Sequence, residues 1–415
     1  MHFFTALFAG ALLIGLALQL WLLRRQIRAV RAHRDRVPPP FAGAISAADH
    51  ARAADYTIAQ SNVASAERLS SAAILAILTL GGGLAAVDSW TLTTGLEGLP
   101  REVAVVMTVL LLALFAGLPF EAWRTFRIES RFGFNRTTPA LFVVDQLKGL
   151  AVGGGLLLPL AAYLLWLMPR AGQQWWLWAW GAWALVSILI GWAWPRLIAP
   201  WFNRFHELEE GALRTAVETL ARRCGFEPRG VMVMDGSRRS SHGNAYFTGF
   251  GRTKRIVFFD TLLDTLAPDE IQAVLAHELG HFRLHHVALR IAGSLAAALA
   301  GFALLAWLAR QSWFQPALGV PDGGPHTLLL LFVLAAPVFL LPVGPLFAWL
   351  SRRHEFAADR YAARHANARS LANALVSLYR ENATTLTPDP FYTAFHASHP
   401  PALERIARLL PAPGK

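Results

Sequence analysis

The sequence predicts a mainly α-helical, polytopic membrane protein. It has about seven transmembrane helices and a small cytoplasmic α+β unit, inserted after the fifth span and completed by the C-terminal tail. Three observations carry this. Hydrophobic residues fill 54% of the 415 positions and charged residues only 16%, a balance too apolar for a water-soluble chain of this length. Apolar runs long enough to cross a bilayer recur along the chain. The longest polar stretch between them, 201–286, contains AHELGH near its end. The net charge of +11 does not imply nucleic acid, because arginine gathers beside spans on the cytoplasmic side and no nucleic-acid motif is present. A single cysteine, Cys224, excludes an intrachain disulfide framework and any multi-thiolate metal site, which leaves it a packing role.

In chain order, Phe3 to Leu23 carries no charge and is followed by six arginines between Arg24 and Arg36. That arrangement is a span with a cytoplasmic anchor, whereas a cleaved signal peptide would carry its positive charge before the apolar run. The N-terminus is therefore expected outside. Further spans are expected at Ser71–Val87, Val103–Trp123, Leu150–Met168, Trp175–Ile198, Val287–Leu308 and Thr327–Leu350, seven in all. Ser71–Val87 is short and contains Gly81, Gly82 and Gly83; Trp175–Ile198 is flanked by tryptophans as an aromatic belt would place them. With that parity the cytoplasmic segments are 24–70, 124–149, 199–286 and 351–415, which are the arginine-rich ones. Four regions follow: 1–200 with five spans, 201–286 with the polar unit, the hairpin 287–350, and the helical tail 351–415.

Within the polar unit, Glu209 to Arg223 reads as an amphipathic helix, and Gly230–Met234, Asn244–Phe250 and Arg255–Phe259 read as strands between glycine-rich turns. A helix then begins near Pro268, a residue suited to the first helical position, with Asp269 and Glu270 at the positive end of its dipole and Ala267 a poor N-cap. It holds His277, Glu278 and His281. Four-residue spacing puts both imidazoles on one helix face, where their nitrogens converge on one ion. Glu278 lies beside that face and reaches water activated by the metal as a general base. Three fixed positions match by chance in roughly one protein in twenty, so context has to decide.

A catalytic zinc takes a third protein ligand. A histidine six residues after His281 is excluded, because that position is Val287. The run RRHEFAADRYAARH offers Glu355 and Asp359 on one helix face, and the expected hairpin returns it to the side of the membrane that holds His277. Either carboxylate fits as ligand, with the other orienting a ligating histidine through its second N–H. On spacing alone, both would equally serve as partners for neighbouring arginines.

Taken together, HELGH, HEFAAD, NAYFTGFGRTKRIVFFD, SHPPALERIARL and, near the fourth span, ESRFGFNRTTP with DQLKG resemble the Ste24-type CAAX prenyl proteases, integral-membrane zinc metalloproteases of the M48 peptidase family. The resemblance covers nearly the whole chain. It implies one Zn²⁺ per chain held by His277, His281 and Glu355, Glu278 as the catalytic base, and Asp359 as the partner of a ligand. It also implies Asn244 as a substrate-backbone contact, with the stretch Arg255–Phe259 offering an edge for strand addition, and His399 and Arg405 as stabilisers of charge on the carbonyl oxygen. The implied activity is hydrolysis near the cytoplasmic face, the family removing the last three residues of prenylated CAAX ends. The implied partners are the lipid bilayer and a peptide or protein substrate, lipidated or membrane-associated.

An arginine- and alanine-rich composition points to a bacterial inner membrane, where prenylated proteins are not expected. A quality-control protease of broad specificity is therefore a second reading, and a seven-span receptor or carrier with structural zinc a distant third. Outside the motif residues, His285 and His286 are expected at the membrane interface, with the metal helix running through them into the sixth span. His242, His354 and His396 are expected as surface or supporting groups, and Arg290 as a snorkelling side chain.

Overall fold

The structure, a computed structural model, describes residues 2–227, 230–248 and 255–410. Helix α1 (Phe3–Ala32) packs along α2 (Ala47–Leu78), so most of the polar connection expected over 24–70 is in fact helical. Arg34 of the α1–α2 turn ties the two helices together through a two-pronged pair with Asp55 of α2, at 2.8 Å for each contact. The second expected span is broken. Between α2 and α3 (Gly83–Leu92) the chain bends by 57°. A Cβ at Gly81 or Gly83 would stand 2.9 or 2.8 Å from the Ile77 carbonyl, and Gly82 adopts φ +73°, so this turn tolerates little but glycine.

Helices α4 (Gly98–Trp123), α5 (Pro139–Leu167) and α6 (Trp175–Ala193) follow, then a π-helical turn Trp194–Ile198 and the short α7 (Ala199–Phe202). Another π-helical turn, Arg124–Glu129, ends α4. Counting later elements, six helical segments among the described residues are long and apolar enough to cross a membrane, or seven if the bent pair α2–α3 makes one span.

Among the described residues the polar unit is a four-stranded sheet with helices packed against it. Strands β1 (Phe205–Glu207), β2 (Val231–Met234), β3 (Ala245–Thr248) and β4 (Arg255–Phe259) lie in the order β1-β2-β4-β3. β2 and β4 run parallel, and β3 pairs antiparallel to β4, with Ala245 opposite Phe258. The expectation that Arg255–Phe259 offers a free edge is therefore corrected: β4 is interior, and among the described residues β1 and β3 are the edge strands, β3 beside β4. β1 escaped sequence reading because three residues carry no usable alternation. Of the strand expected at 244–250, positions 249 and 250 lie outside the described residues.

Buried Val231, Val233, Ile256 and Phe258 of the sheet pack on Val217 and Leu220 of α8 (Ala212–Arg223), and on Ile271, Leu275 and Leu279 of the helix that carries HELGH. After α9 (Asp260–Thr265), that helix is α10 (Pro268–Arg283). Ala267 offers no side-chain cap, but half of a capping box is present at the helix start: the Ala267 N–H donates to the Glu270 carboxylate at 3.0 Å. It does not run on into the next span. The chain breaks at Leu284 and His285, the latter with φ +60°, before α11 (His286–Leu308).

Short α12 (Phe314–Ala317) leads to α13 (Pro325–Leu340), a 3₁₀ turn Leu341–Val343 and α14 (Gly344–His365). These form one 41-residue segment. At 1.5 Å per residue it is about 60 Å long, twice a hydrocarbon core of about 30 Å, so its second half carries Glu355 and Asp359 beyond the apolar stretch. Tail helices α15 (Ala368–Glu381), α16 (Pro390–His396) and α17 (Ala402–Leu409) complete the chain. Leu371, Ala374, Leu375 and Leu409 from the tail belong to the same core as the sheet. The polar unit and the tail thus form one packed body.

Candidate active site

Helices α10 and α14 approach each other at Gly280. A Cβ there would lie 3.1 Å from the Ala358 Cα, 3.1 Å from the Tyr361 Cβ and 3.2 Å from the Ala358 carbonyl oxygen. The glycine of HELGH therefore lets the two helices close enough for their polar residues to meet. One nitrogen each of His277 and His281 and one oxygen of Glu355 lie within 4.8 Å of one another. His277 Nε2 is 3.2 Å from His281 Nε2; Glu355 lies 3.5 Å from the first and 3.2 Å from the second.

This donor set fits a divalent metal. Glu355 Oε2 is buried and, among the described residues, meets no donor in good hydrogen-bonding geometry, although His399 Nδ1 is 2.8 Å away. Two imidazole nitrogens facing each other beside a carboxylate oxygen present converging lone pairs, which a zinc ion would satisfy. Of the two carboxylates, Glu355 faces the Nε2 atoms. Asp359 lies on the far side of His277, 2.9 Å from Nδ1. A proton on Nδ1 donated to Asp359 leaves the Nε2 lone pair directed at the cluster. Burial by itself lowers the His277 pKa, but the close carboxylates of Asp359 and Glu355 prevail and raise it to about 9 when no metal is bound.

Arg405 of α17 is buried, not a surface group of the tail helix. Its Nε and Nη2 donate to Asp359 at 2.9 and 2.6 Å, and Nη1 is 3.9 Å from Glu355. Burial opposes its charge; the Asp359 hydrogen bonds outweigh that and raise its pKa. His399 is exposed. Glu278 is half-buried and lines a cleft of about 600 Å³ together with His277, Glu355, His399, Arg405 and the exposed Asn244. All eight residues singled out in the sequence are thus gathered at the cleft or immediately beside it.

Three features escaped sequence reading. His286 is buried, with Nδ1 3.0 Å from His281 Nδ1, and the His354 ring stacks on it at 4.1 Å. His242 stacks on Phe134 at 4.4 Å and sits 3.3 Å from Glu129 and 3.1 Å from Asn382. Asp145 takes a two-pronged pair from Arg239 at 2.7 and 2.8 Å. The motif ESRFGFNRTTP with DQLKG therefore fixes the loop that leads into β3. The signal was present, since those motifs stood out, but their contact partners lie about 100 residues away.

Fold and site together define a membrane-embedded metallopeptidase of the HExxH type. Residues 26–204 match the family described as CAAX prenyl protease N-terminal, five membrane helices, and residues 207–412 match peptidase family M48. The chain is 34% identical over 320 residues to CAAX prenyl protease 1 homolog of Oryza sativa, covering 76% of this chain and 74% of that one. It is 30% identical over 455 residues to the human homolog, covering 97% and 95%. It is also similar to the crystal structure of S. mikatae Ste24p, with a TM-score of 0.91 and 26% identity over 99% of both chains. The chain belongs to the Ste24-type branch of peptidase family M48: it is a membrane zinc metalloprotease, and the non-enzymatic receptor or carrier reading is set aside.

Proposed function

We propose that the chain cleaves C-terminal CAAX sequences, lipidated ones included, at the cytoplasmic membrane face, using one Zn²⁺ held by His277, His281 and Glu355. The observation that carries the reading is the convergence of those three donors at a cleft lined by His277, Glu278 and Glu355, beside an edge strand. Bound there, zinc supplies a Lewis acid for the scissile carbonyl and makes water more acidic. Glu278 accepts the proton of the attacking water and returns it to the leaving amine. Asp359 holds His277 in the ligating tautomer and pins Arg405.

Strand β3 has its second edge open among the described residues, so an extended peptide adds to it by backbone hydrogen bonds, with Asn244 at its entrance. Leu262, Val274, Leu371, Leu375 and Leu378 line the same cleft and suit aliphatic side chains. His399 and Arg405 Nη1 are the donors for the developing oxyanion, a role worth about 3–4 kcal/mol in comparable sites. Cytoplasmic placement rests on the arginine bias of the segments that hold the site.

The test offers purified protein a farnesylated CAAX peptide and an unfolded membrane protein side by side. Preferential release of the C-terminal tripeptide is expected. Equal or better cleavage of the unfolded protein would replace the CAAX reading with broad quality control.

A further inference from the structure

His281 must present Nε2 to the cluster, since that atom faces His277 Nε2 and Glu355 Oε1, each 3.2 Å away. A neutral imidazole that ligates through Nε2 carries its proton on Nδ1. For His277 the acceptor of that proton is Asp359. For His281 the nearest acceptor is not a carboxylate: it is Nδ1 of His286, 3.0 Å away.

We infer that His286 is the positioning residue of the second zinc ligand, accepting the His281 Nδ1–H through its own Nδ1. The proposal rests on the metal assignment above and extends it to a residue at the mouth of a membrane span.

The backbone shows how the contact arises. In a continuous helix, residues five apart are rotated by about 140° and do not face each other. Here α10 stops at Arg283, Leu284 leaves the helix, and His285 takes a left-handed conformation at φ +60°, ψ 23° before α11 starts at His286. A non-glycine residue in that region is strained, and such positions persist where the surroundings require them. The consequence of this turn is that the His286 ring comes back beneath His281. His354 then fixes its plane. The two rings stack with centroids 4.1 Å apart and an interplanar angle of 8°. His354 immediately precedes Glu355, so α14 supplies both a zinc ligand and the ring that clamps the support of another ligand. With Nδ1 as acceptor, His286 keeps its own proton on Nε2.

Two substitutions separate an acceptor from mere bulk. His286→Leu keeps much of the volume and removes the acceptor; His286→Asn places its carbonyl oxygen where Nδ1 stands. Zinc affinity is measured by competition with a chelator on the full-length protein in detergent, and ligand geometry by the visible spectrum of the cobalt-substituted form. The leucine variant is expected to bind zinc about 10–100-fold more weakly with an altered cobalt spectrum, and the asparagine variant to stay within about threefold of the parent. Leucine and parent proteins with equal affinity and equal spectra would overturn the proposal, as would leucine and asparagine variants impaired alike. Should the leucine variant not fold, the asparagine variant decides alone: parent-like zinc binding supports the acceptor, and a tenfold loss overturns it. A parent protein that binds no zinc would instead remove the metal assignment itself.

Discussion

Gly280 and Ala358 lie so close that a Cβ on the first would stand 3.1 Å from the Cα of the second, and this contact brings the two metal-binding helices together. Glycine inside a helix is unfavourable by about 1 kcal/mol relative to alanine, so on propensity alone Gly280→Ala would stabilise α10. Overpacking costs about 1–3 kcal/mol and acts against backbone here, which cannot rotate away. The second effect wins. Gly280→Ala is expected to lower the unfolding midpoint and weaken zinc binding together, read by thermal unfolding with and without zinc.

Asp359 serves two buried partners, His277 and Arg405. Asp359→Asn keeps the shape and loses the charge that pairs with Arg405. Zinc affinity should fall about 10–100-fold, as for other groups that orient a metal-bound histidine. An unchanged chelator-competition curve would show that Asp359 does not act through His277.

In the metal-free protein His277 is protonated at pH 7, because its pKa is raised to about 9 by Asp359 and Glu355. Zinc must displace that proton. Apparent affinity is therefore expected to tighten by up to about tenfold per pH unit between pH 7 and 9 and to flatten above, with proton release seen in a weakly buffered titration. The metal-free fold shows the opposite trend: a raised folded-state pKa contributes stability that is full below the unfolded value of about 6.5 and is lost as pH rises through 9.

The tail is fastened to the first helix through Asp389, which pairs with Arg25 at 2.9 Å and accepts the N–H groups of Phe391 and Tyr392 at the start of α16. Gln26 accepts the Asp389 N–H at 2.7 Å. Asp389→Ala removes a helix cap worth about 1 kcal/mol and leaves Arg25 without its carboxylate, held only over the Trp21 and Phe391 rings. Faster proteolysis of the tail and a lower kcat are expected, since α17 carries Arg405; unchanged values of both would show that the tail holds its place without this anchor.

How much of this was legible from the sequence varies with the range of the interaction that decides it. HELGH, Glu355 and the spans are local patterns, and periodicity with hydropathy reads such patterns directly. Glu355 against Asp359 was open, because two carboxylates four apart share a helix face and only the partner helix distinguishes them. The bend after Leu78 was marked by three glycines, yet composition does not say that a break follows. β4 as an interior strand, His286 as a buried acceptor and Glu129 beside His242 all depend on contacts across the fold or on one left-handed residue. Arg405 is singled out only through resemblance, since an arginine on a short amphipathic tail helix is ordinarily solvated, whereas the structure buries it against Asp359.

The central claim is that Glu278 moves the proton while His277, His281 and Glu355 hold the metal. Glu278→Gln separates those roles in one protein, by measuring zinc content and peptide cleavage on the same sample. About one zinc per chain, retained in the variant, with kcat reduced by roughly 10²–10⁴-fold, is the expected result. Full cleavage activity in a zinc-loaded Glu278→Gln protein would contradict it.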